Sequence, residues 1–567
     1  MKTFADSVLH SYNIVPDKNI IHLIRSGLPD QKISYRNLIK GSANYTAELS
    51  RKGIKPGEVV ILILQHGIDL VFTYFGCILH GAIPSIMPFL TEKLIPERYR
   101  ADLNSLIKST KPSAIITYSD FNIEIESAIR DKSSVREVVF VEKISICDDF
   151  PSFRDAFRDE NDIVLLQHSS GTTGLQKGVA LSHQAVFNQL ESYRKAIQLH
   201  SDDVIVSWLP LYHDMGLIAC FLMPILLRIP LVIMSPFEWV RAPYKLFTSI
   251  SQYHGTLCWL PNFAYNFCAD KIRDHQLENI NLSSLRGVIN CSEPVRWESH
   301  QKFIARFKKY GLKQKALATC YAMAENVFAV TQSGINSKLK TDEIDRYDFQ
   351  KLKRANQTSK SNPTIKMVSN GRPIENTQIK FISKKGDVLS EKQVSQIAIR
   401  SNCMLTEYYN RPDETKNAML DGWFKTGDLG YIAGGELFVS GRIKDMIIVG
   451  GKNIYPQDIE YIVMKVEGVH QGRVVVFGLD NEKLGTEEVV VVAEVDADNI
   501  NDEERISETI KKEVAQKSAI TLKNAYIVEP KWLIKTSSGK IARGANRAKY
   551  LKEFDEEKII PHPFKNC

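Results

Sequence analysis

Short, wholly apolar runs alternate with helical stretches through the first half of this chain, and that alternation restricts its fold more than any other feature. Val59–Leu64 (VVILIL), Ala114–Thr117 and Val138–Val141 read as strands, with Gly67–Leu79 as a buried helix after the first. The pattern continues through Val204–Trp208 and Gly255–Trp259 to Gly287–Asn290. A strand that is apolar on both faces must be covered on both faces, and helices between strands do this in an α/β architecture with parallel-type sheets. At 567 residues the chain exceeds a single core, and length alone suggests about three or four domain-sized units.

The character changes after Val330. From Thr331 to about Lys366 the chain is polar and rich in Lys, Asn and Ser. Tyr347, Phe349 and Leu352 are expected to let part of this stretch pack. Beyond Gly371 the runs IKFIS and IAIRS alternate in the manner of antiparallel strands, a small β-subdomain. A second boundary falls near Arg442. After it Asp458–Val466 reads as a helix introduced by Pro456, Val474–Phe477 and Val489–Val495 as strands, and Ile506, Ile510 and Val514 as one helix face. The expected organisation is a large α/β domain over 1–441, with a polar insertion at about 331–366, and a small mobile α+β domain over 442–567.

Nine scattered cysteines without a Cys-x-x-Cys pair argue for a reducing compartment and against a disulfide framework or zinc site. The start, MKTFADSVLHSYN, lacks a secretory pattern. Gly216–Pro236 is nearly apolar, but Arg228 and Pro230 interrupt it and its end is β-like, so a buried helix running into a buried strand is expected rather than a membrane span. These features predict a cytoplasmic protein. The net charge of +7 is spread over lysines with no nucleic-acid motif. Positive patches could instead dock an acidic protein.

Chemistry concentrates at LLQHSSGTTGLQKGVALSH, Leu165–His183. Glycines let backbone N–H groups converge, four hydroxyls (Ser169, Ser170, Thr172, Thr173) add donors, and Lys177 adds a cation, a combination suited to a polyphosphate. No Gly-Lys-[Ser/Thr] closes it, so it is not the common phosphate loop. Downstream, SWLPLYHDMGL places Tyr212, His213 and Asp214 at a strand-to-helix turn. His213 beside Asp214 is either a proton relay or a helix-cap pair, and residue types favour the cap. NCSEPVR (Asn290–Arg296) follows a buried strand, where open α/β sheets bind ligands. In YAMAENVF, Tyr321 can stack on a base and Glu325 can hold a hard cation. Asp428 lies between glycines in DGWFKTGDLGYI, and one carboxylate suits two ribose hydroxyls. SGRIKDMIIVGGKNIYPQDIE carries Arg442 and Lys444, and KTSSGKIARGANR presents Lys540 in a glycine-flanked loop.

This ordered set resembles the adenylate-forming superfamily over nearly the whole chain. The wording WLPLYHDMGL, Ala324 and the Tyr-Pro-Gln-Asp-Ile-Glu run are most like its fatty acyl-AMP ligase branch. The resemblance implies that Ser169, Ser170, Gly171, Thr172, Thr173, Gly174 and Lys177 hold the phosphates of ATP. Ser292, Glu293 and Pro294 would line the adenine slot, Tyr321 would stack on the base beside Ala322, and Asp428 and Arg442 would hold the ribose or phosphate. Ala322 replaces the usual glycine, which bears on the local backbone. Glu325 would bind Mg2+, His213 would stand by the acyl and phosphate groups, and Lys444 would be the hinge. Lys540, Glu325 and Thr172 form the implied catalytic set. The implied reaction activates a fatty acid to acyl-AMP and passes it to the phosphopantetheine of an acyl carrier protein or synthase carrier domain. An insertion after the Tyr…Glu element, where Thr331–Lys366 falls, marks that branch and hinders the domain movement used for coenzyme A. The alternatives are an acyl-CoA synthetase and an aryl- or amino-acid adenylating enzyme; the apolar Gly287–Asn290 and Trp259–Phe263 lean towards acyl chains.

Overall fold

The structure, a computed structural model, describes residues 2–554 apart from 91–95, 130–133, 148–152, 154–157, 170–176, 359–362, 384, 450–451, 482–485, 497–501, 519 and 537–538. Two large sheets form its centre. In the nine-stranded sheet, Leu317–Ala322, Gly287–Asn290, Leu257–Leu260, Ile205–Ser207, Leu231–Ile233 and Asn19–Leu23 run parallel. Antiparallel strands close both edges. In the seven-stranded sheet, Ile163–Ser169, Ile83–Ile86, Val59–Leu62, Ala114–Thr117 and Glu137–Phe140 run parallel.

Most of the runs expected as strands are strands, within a residue or two at their ends. They read clearly because the central ones are apolar and buried throughout: Val59–Leu62, Ala114–Thr117, Leu257–Leu260 and Gly287–Asn290 have no exposed position. The expected helix after Val59–Leu62 spans Ile68–His80 and ends on Gly81, whose φ of 84° lets the chain turn into the next strand. Gly216–Pro236 is the expected buried helix and strand: helical from Met215 to Leu227, then Leu231–Ile233. Among the described residues no helix is long and apolar enough to cross a membrane.

IKFIS and IAIRS pair antiparallel within Thr377–Ile382 and Ser395–Ser401, and the sheet continues through Trp423–Ala433 to Glu436–Arg442. Beyond Arg442 a separate apolar core forms. Ile459 and Val463 of helix Pro456–Val463, and Ile506, Ile510 and Val514 of helix Glu503–Ser518, pack on one face of a mixed three-stranded sheet.

The polar stretch after Val330 has more structure than its composition suggests. Thr341–Asp345 pairs with Thr364–Val368, alternation sending Ile344, Ile365 and Met367 inward. Part of the stretch packs, as expected, but of the three residues expected to do it only Phe349 is buried, 2% exposed; Tyr347 and Leu352 are 61% and 55% exposed. They flank Phe349 on the wide helical turn Asp348–Leu352, which presents one face inward and leaves its neighbours in water.

Candidate active site

Ser169, Ser292, Glu293, Pro294 and Tyr321 lie at or just beyond the C-terminal ends of parallel strands, where the chain leaves a sheet and backbone groups become free for a ligand. Asn290 ends one strand, and Ser292 (φ 70°) turns the chain away from it. Glu293 accepts a hydrogen bond from the Phe263 N–H (2.9 Å) at the start of helix Asn262–Lys271. Its carboxyl is thereby held against that helix N-terminus as well as beside the expected adenine slot.

Tyr321 lies near the end of the next strand, where its hydroxyl donates to Asp428 (2.6 Å). Asp428 is 6% exposed and faces Arg442 across an antiparallel pair, and Arg442 Nε donates to its other oxygen (3.0 Å). A carboxylate offers about four acceptor directions, so this pair leaves room for two ribose hydroxyls, and the site fits a nucleotide. Ala322 adopts ordinary negative-φ backbone, so the missing glycine imposes no strain. The strain lies at Val327 instead, where φ is 63° and Phe328 N–H bonds Asn326 O at 2.6 Å. A β-branched residue there is unfavourable. Asn326 clamps the turn by donating to Ala329 O (2.7 Å).

Glu325 begins this turn. Its Oε1 accepts from the Tyr408 hydroxyl (2.8 Å). Surrounding protein raises its pKa, with the Tyr408 bond opposing. A carboxylate of this kind is a hard oxygen donor that fits Mg2+, which keeps several waters and binds through one or two carboxylates plus phosphates. Among the described residues no cluster of three or more His, Cys, Asp or Glu could hold a metal alone.

Lys177 opens the second strand of the hairpin Ile163–Ser169/Lys177–Ser182, not a helix. It pairs with Glu414 (2.6 Å) and rests over the Tyr408 ring (4.5 Å). Ser169 ends the first strand; Ser170, Gly171, Thr172, Thr173 and Gly174 lie outside the described residues. Tyr408 and Glu414 were missed by sequence reasoning. Both lie in EYYNRPDET, a polar run with no spacing of its own, and only the pairing of Glu407–Tyr408 with the hairpin brings them to the site.

Asp214 accepts from Met215 N–H (2.8 Å) at the helix start, the cap its residue type favoured. His213 stacks edge-on against Tyr212 (4.7 Å), and burial, aided by the Lys540 charge, holds its pKa down at about 3. The same Lys540 charge opposes the burial-raised pKa of Asp214 and of Glu293. A residue of the small domain thus acts on three groups of the large-domain site. Pro294 is exposed beside it. Arg296 ties the domains through Asp458 (2.8 Å). Lys444 is exposed on the turn Ile443–Asp445, whose Asp445 binds Arg543 (2.8 Å), three residues after Lys540. Arg543 also pairs with Glu460 of helix Pro456–Val463 (2.7 Å), so one guanidinium links the end of the lysine loop to both the turn and that helix.

Residues 13–409 match the family of AMP-binding enzymes. The chain is 29% identical over 549 residues to the medium-chain fatty acid–acyl-carrier-protein ligase JamA of Moorena producens (strain JHB), spanning 92% of this chain and 90% of that one. A structure from work on fatty acyl-adenylate ligases of E. coli and L. pneumophila superposes with a TM-score of 0.89 at 25% identity, over 98% of this chain and 99% of that one. The L. pneumophila fatty acyl-adenylate ligase in complex with acyl adenylate and pyrophosphate is 28% identical, with a TM-score of 0.73, over 97% of this chain and 96% of that one. On a family match that spans more than half its length, the chain belongs to the AMP-binding enzymes.

Proposed function

We propose that this protein activates a fatty acid with ATP, forming acyl-AMP and releasing pyrophosphate, and then passes the acyl group to the phosphopantetheine thiol of an acyl carrier protein. The observation that carries the first step is the convergence of Lys540 from the small domain on His213, Asp214 and Glu293, in a large-domain site that also holds Glu325 and Asp428. A carboxylate oxygen of the acid attacks the α-phosphorus, and the bond to the pyrophosphate oxygen breaks. Both reactants are anions, so the site must supply positive charge and alignment. In this reading Asp428 accepts the ribose hydroxyls, Tyr321 stacks on adenine, Lys177 exchanges Glu414 for phosphate, and Lys540 bridges the carboxylate and the α-phosphate. Mg2+ at Glu325 would offset charge on the phosphates. Residues 1–441 are the adenylating domain and 442–567 the lid that carries Lys540.

The second step turns on the insertion. Phe349 packs on Tyr431 of the large domain (6.5 Å between ring centres) and on Tyr455 of the small one (5.5 Å). Asn453 donates to Gln350 O (3.0 Å), and Arg346 to Lys517 O (2.6 Å). These contacts tie the insertion to the small domain, which supports a carrier-bound thiol over coenzyme A as acceptor. The similarity to JamA, an acyl-carrier-protein ligase by name, leans the same way. The reading sets the reaction in the cytoplasm. The test is ATP–pyrophosphate exchange over a panel of fatty acids, followed by addition of coenzyme A or holo-acyl carrier protein. Accumulated acyl-AMP that only the carrier discharges is expected. Efficient acyl-CoA formation would overturn the acceptor, and absence of exchange with every acid would overturn the adenylation.

A further inference from the structure

Tyr408 touches both the carboxylate expected to bind the metal and the lysine expected to bind phosphate. We propose that Tyr408 is a positioning residue that fixes Glu325 with one oxygen turned to the triphosphate, and sets Lys177 beside it on the same ring. The inference rests on the reading of Glu325 as the magnesium carboxylate.

The backbone leaves Tyr408 little freedom. Thr406 N–H bonds Ala180 O (2.9 Å) and Tyr409 N–H bonds Gly178 O (2.8 Å), pinning Tyr408 opposite Val179 on the strand that Lys177 begins. From there its hydroxyl reaches Glu325 Oε1 (2.8 Å), and its ring face receives the Lys177 ammonium (4.5 Å). Leu405 N–H also bonds Glu325 O (2.8 Å), so this short segment holds both the main chain and the side chain of Glu325. Asn326 is tied to the same region, since its Oδ1 accepts from the Ser401 hydroxyl. With Oε1 occupied, the carboxylate cannot rotate without breaking a bond, and Oε2 keeps a fixed direction. A hydrogen-bonded partner of this kind orients a metal-binding carboxylate, and losing one typically weakens metal affinity by about 10–100-fold. The ring does separate work. It offers a cation–π face that holds Lys177 near the phosphate side even when the ion pair with Glu414 exchanges for a ligand.

The two roles separate by substitution. Tyr408→Phe keeps the ring and loses only the bond to Glu325; Tyr408→Leu loses both. The primary readout is Mn2+ binding to the full-length protein with ATP, measured by electron paramagnetic resonance and needing no acid substrate. Tyr408→Phe should raise half-saturating Mn2+ about tenfold while the KM for ATP at saturating Mg2+ stays within about twofold. Tyr408→Leu should raise both. In a Glu325→Gln background, Tyr408→Phe should change Mn2+ binding no further, which a merely structural role would not give. Unchanged Mn2+ binding in Tyr408→Phe, equal rises in the Mn2+ and ATP constants, or additivity with Glu325→Gln would each overturn the proposal. If the wild type binds Mn2+ and ATP yet adenylates no acid, the proposed reaction falls while this inference stands. If the enzyme holds Mn2+ no better than ATP alone does, Glu325 is not a metal ligand and the inference falls with it.

Discussion

The large-domain wall of the site and the small-domain lysine loop are organised in opposite ways. On the wall, the functional side chains already have short-range partners: Asp428 with Tyr321 and Arg442, Glu325 with Tyr408, Lys177 with Glu414. The loop holding Lys540 carries the backbone bonds Thr536 N–H to Lys540 O (2.7 Å) and Gly539 N–H to Thr536 O (2.8 Å), above a Lys535–Ile541 bridge. The lysine itself acts on the wall through its charge. A prepaired wall suits binding, since Asp428 and Glu325 are already oriented when a nucleotide arrives and only Lys177 must exchange its partner. A cation carried by the small domain suits a group that must arrive for one step and then withdraw. Substitutions in the two regions should therefore separate binding from chemistry.

The largest expected effect lies in the loop. Lys540→Ala should slow adenylation by about 100–1000-fold, the usual loss when one preorganised charge-stabilising donor is removed, while ATP binding by calorimetry stays near wild type. Equal losses in binding and rate would erase the contrast between the regions. The wall should show the converse. Asp428→Asn removes a charge that two partners already hold and that would accept the ribose. Hydrogen bonds to charged groups contribute about 1.5–3 kcal/mol, so the KM for ATP should rise by about 10–100-fold with a smaller change in kcat. A fall confined to kcat would move Asp428 into the chemical step.

A third substitution probes what holds the two regions together. Phe349→Ala empties an aromatic contact that spans Tyr431 and Tyr455. Adenylation should change by less than about threefold, while discharge of acyl-AMP by coenzyme A rises several-fold, because the small domain turns more freely once a buried aromatic side chain shared between two faces is gone. Unchanged discharge would show that the insertion does not restrain the domain.

The same contrast governs how much could be read from sequence. The central strands were legible because burial on both faces leaves a continuous apolar run, as in Val59–Leu62. Tyr321, Asp428 and Arg442, far apart in the chain, meet in hydrogen-bond contact within the fold. The partners on the wall were not legible. Tyr408 and Glu414 reach the site through a two-residue strand paired with a hairpin more than two hundred positions earlier, and no local period encodes that. The insertion was legible only in part. Its strands alternate one inward side chain with outward Lys, Glu and Asp, so its polar composition conceals a hairpin, and of Tyr347, Phe349 and Leu352 only the one turned towards Tyr455 is buried.

The smallest effect tests whether the lysine loop rests at the wall before any ligand binds. Burial lowers the pKa of His213 to about 3, and the Lys540 charge contributes to this. The folded value thus lies below the usual value of about 6.5 for an unfolded chain. Neutral His213 is therefore compatible with folding at and above pH 6.5, and stability is lost as pH falls below that, because the unfolded chain takes up the proton first. His66, His168, His183 and His300 are shifted the same way by burial, to about 4, 4, 4 and 3. The urea midpoint should accordingly drop steeply below about pH 6, and replacing His213 with Asn should make that drop shallower by one proton. Against this background, removing a positive charge near a base eases its protonation. Lys540→Ala should shift the His213 resonance titration upward by a fraction of a pH unit in the ligand-free protein, leaving His300 unmoved. If His213 titrates identically in both proteins, the loop is away from the wall until ATP arrives, and the small domain closes only on its ligand.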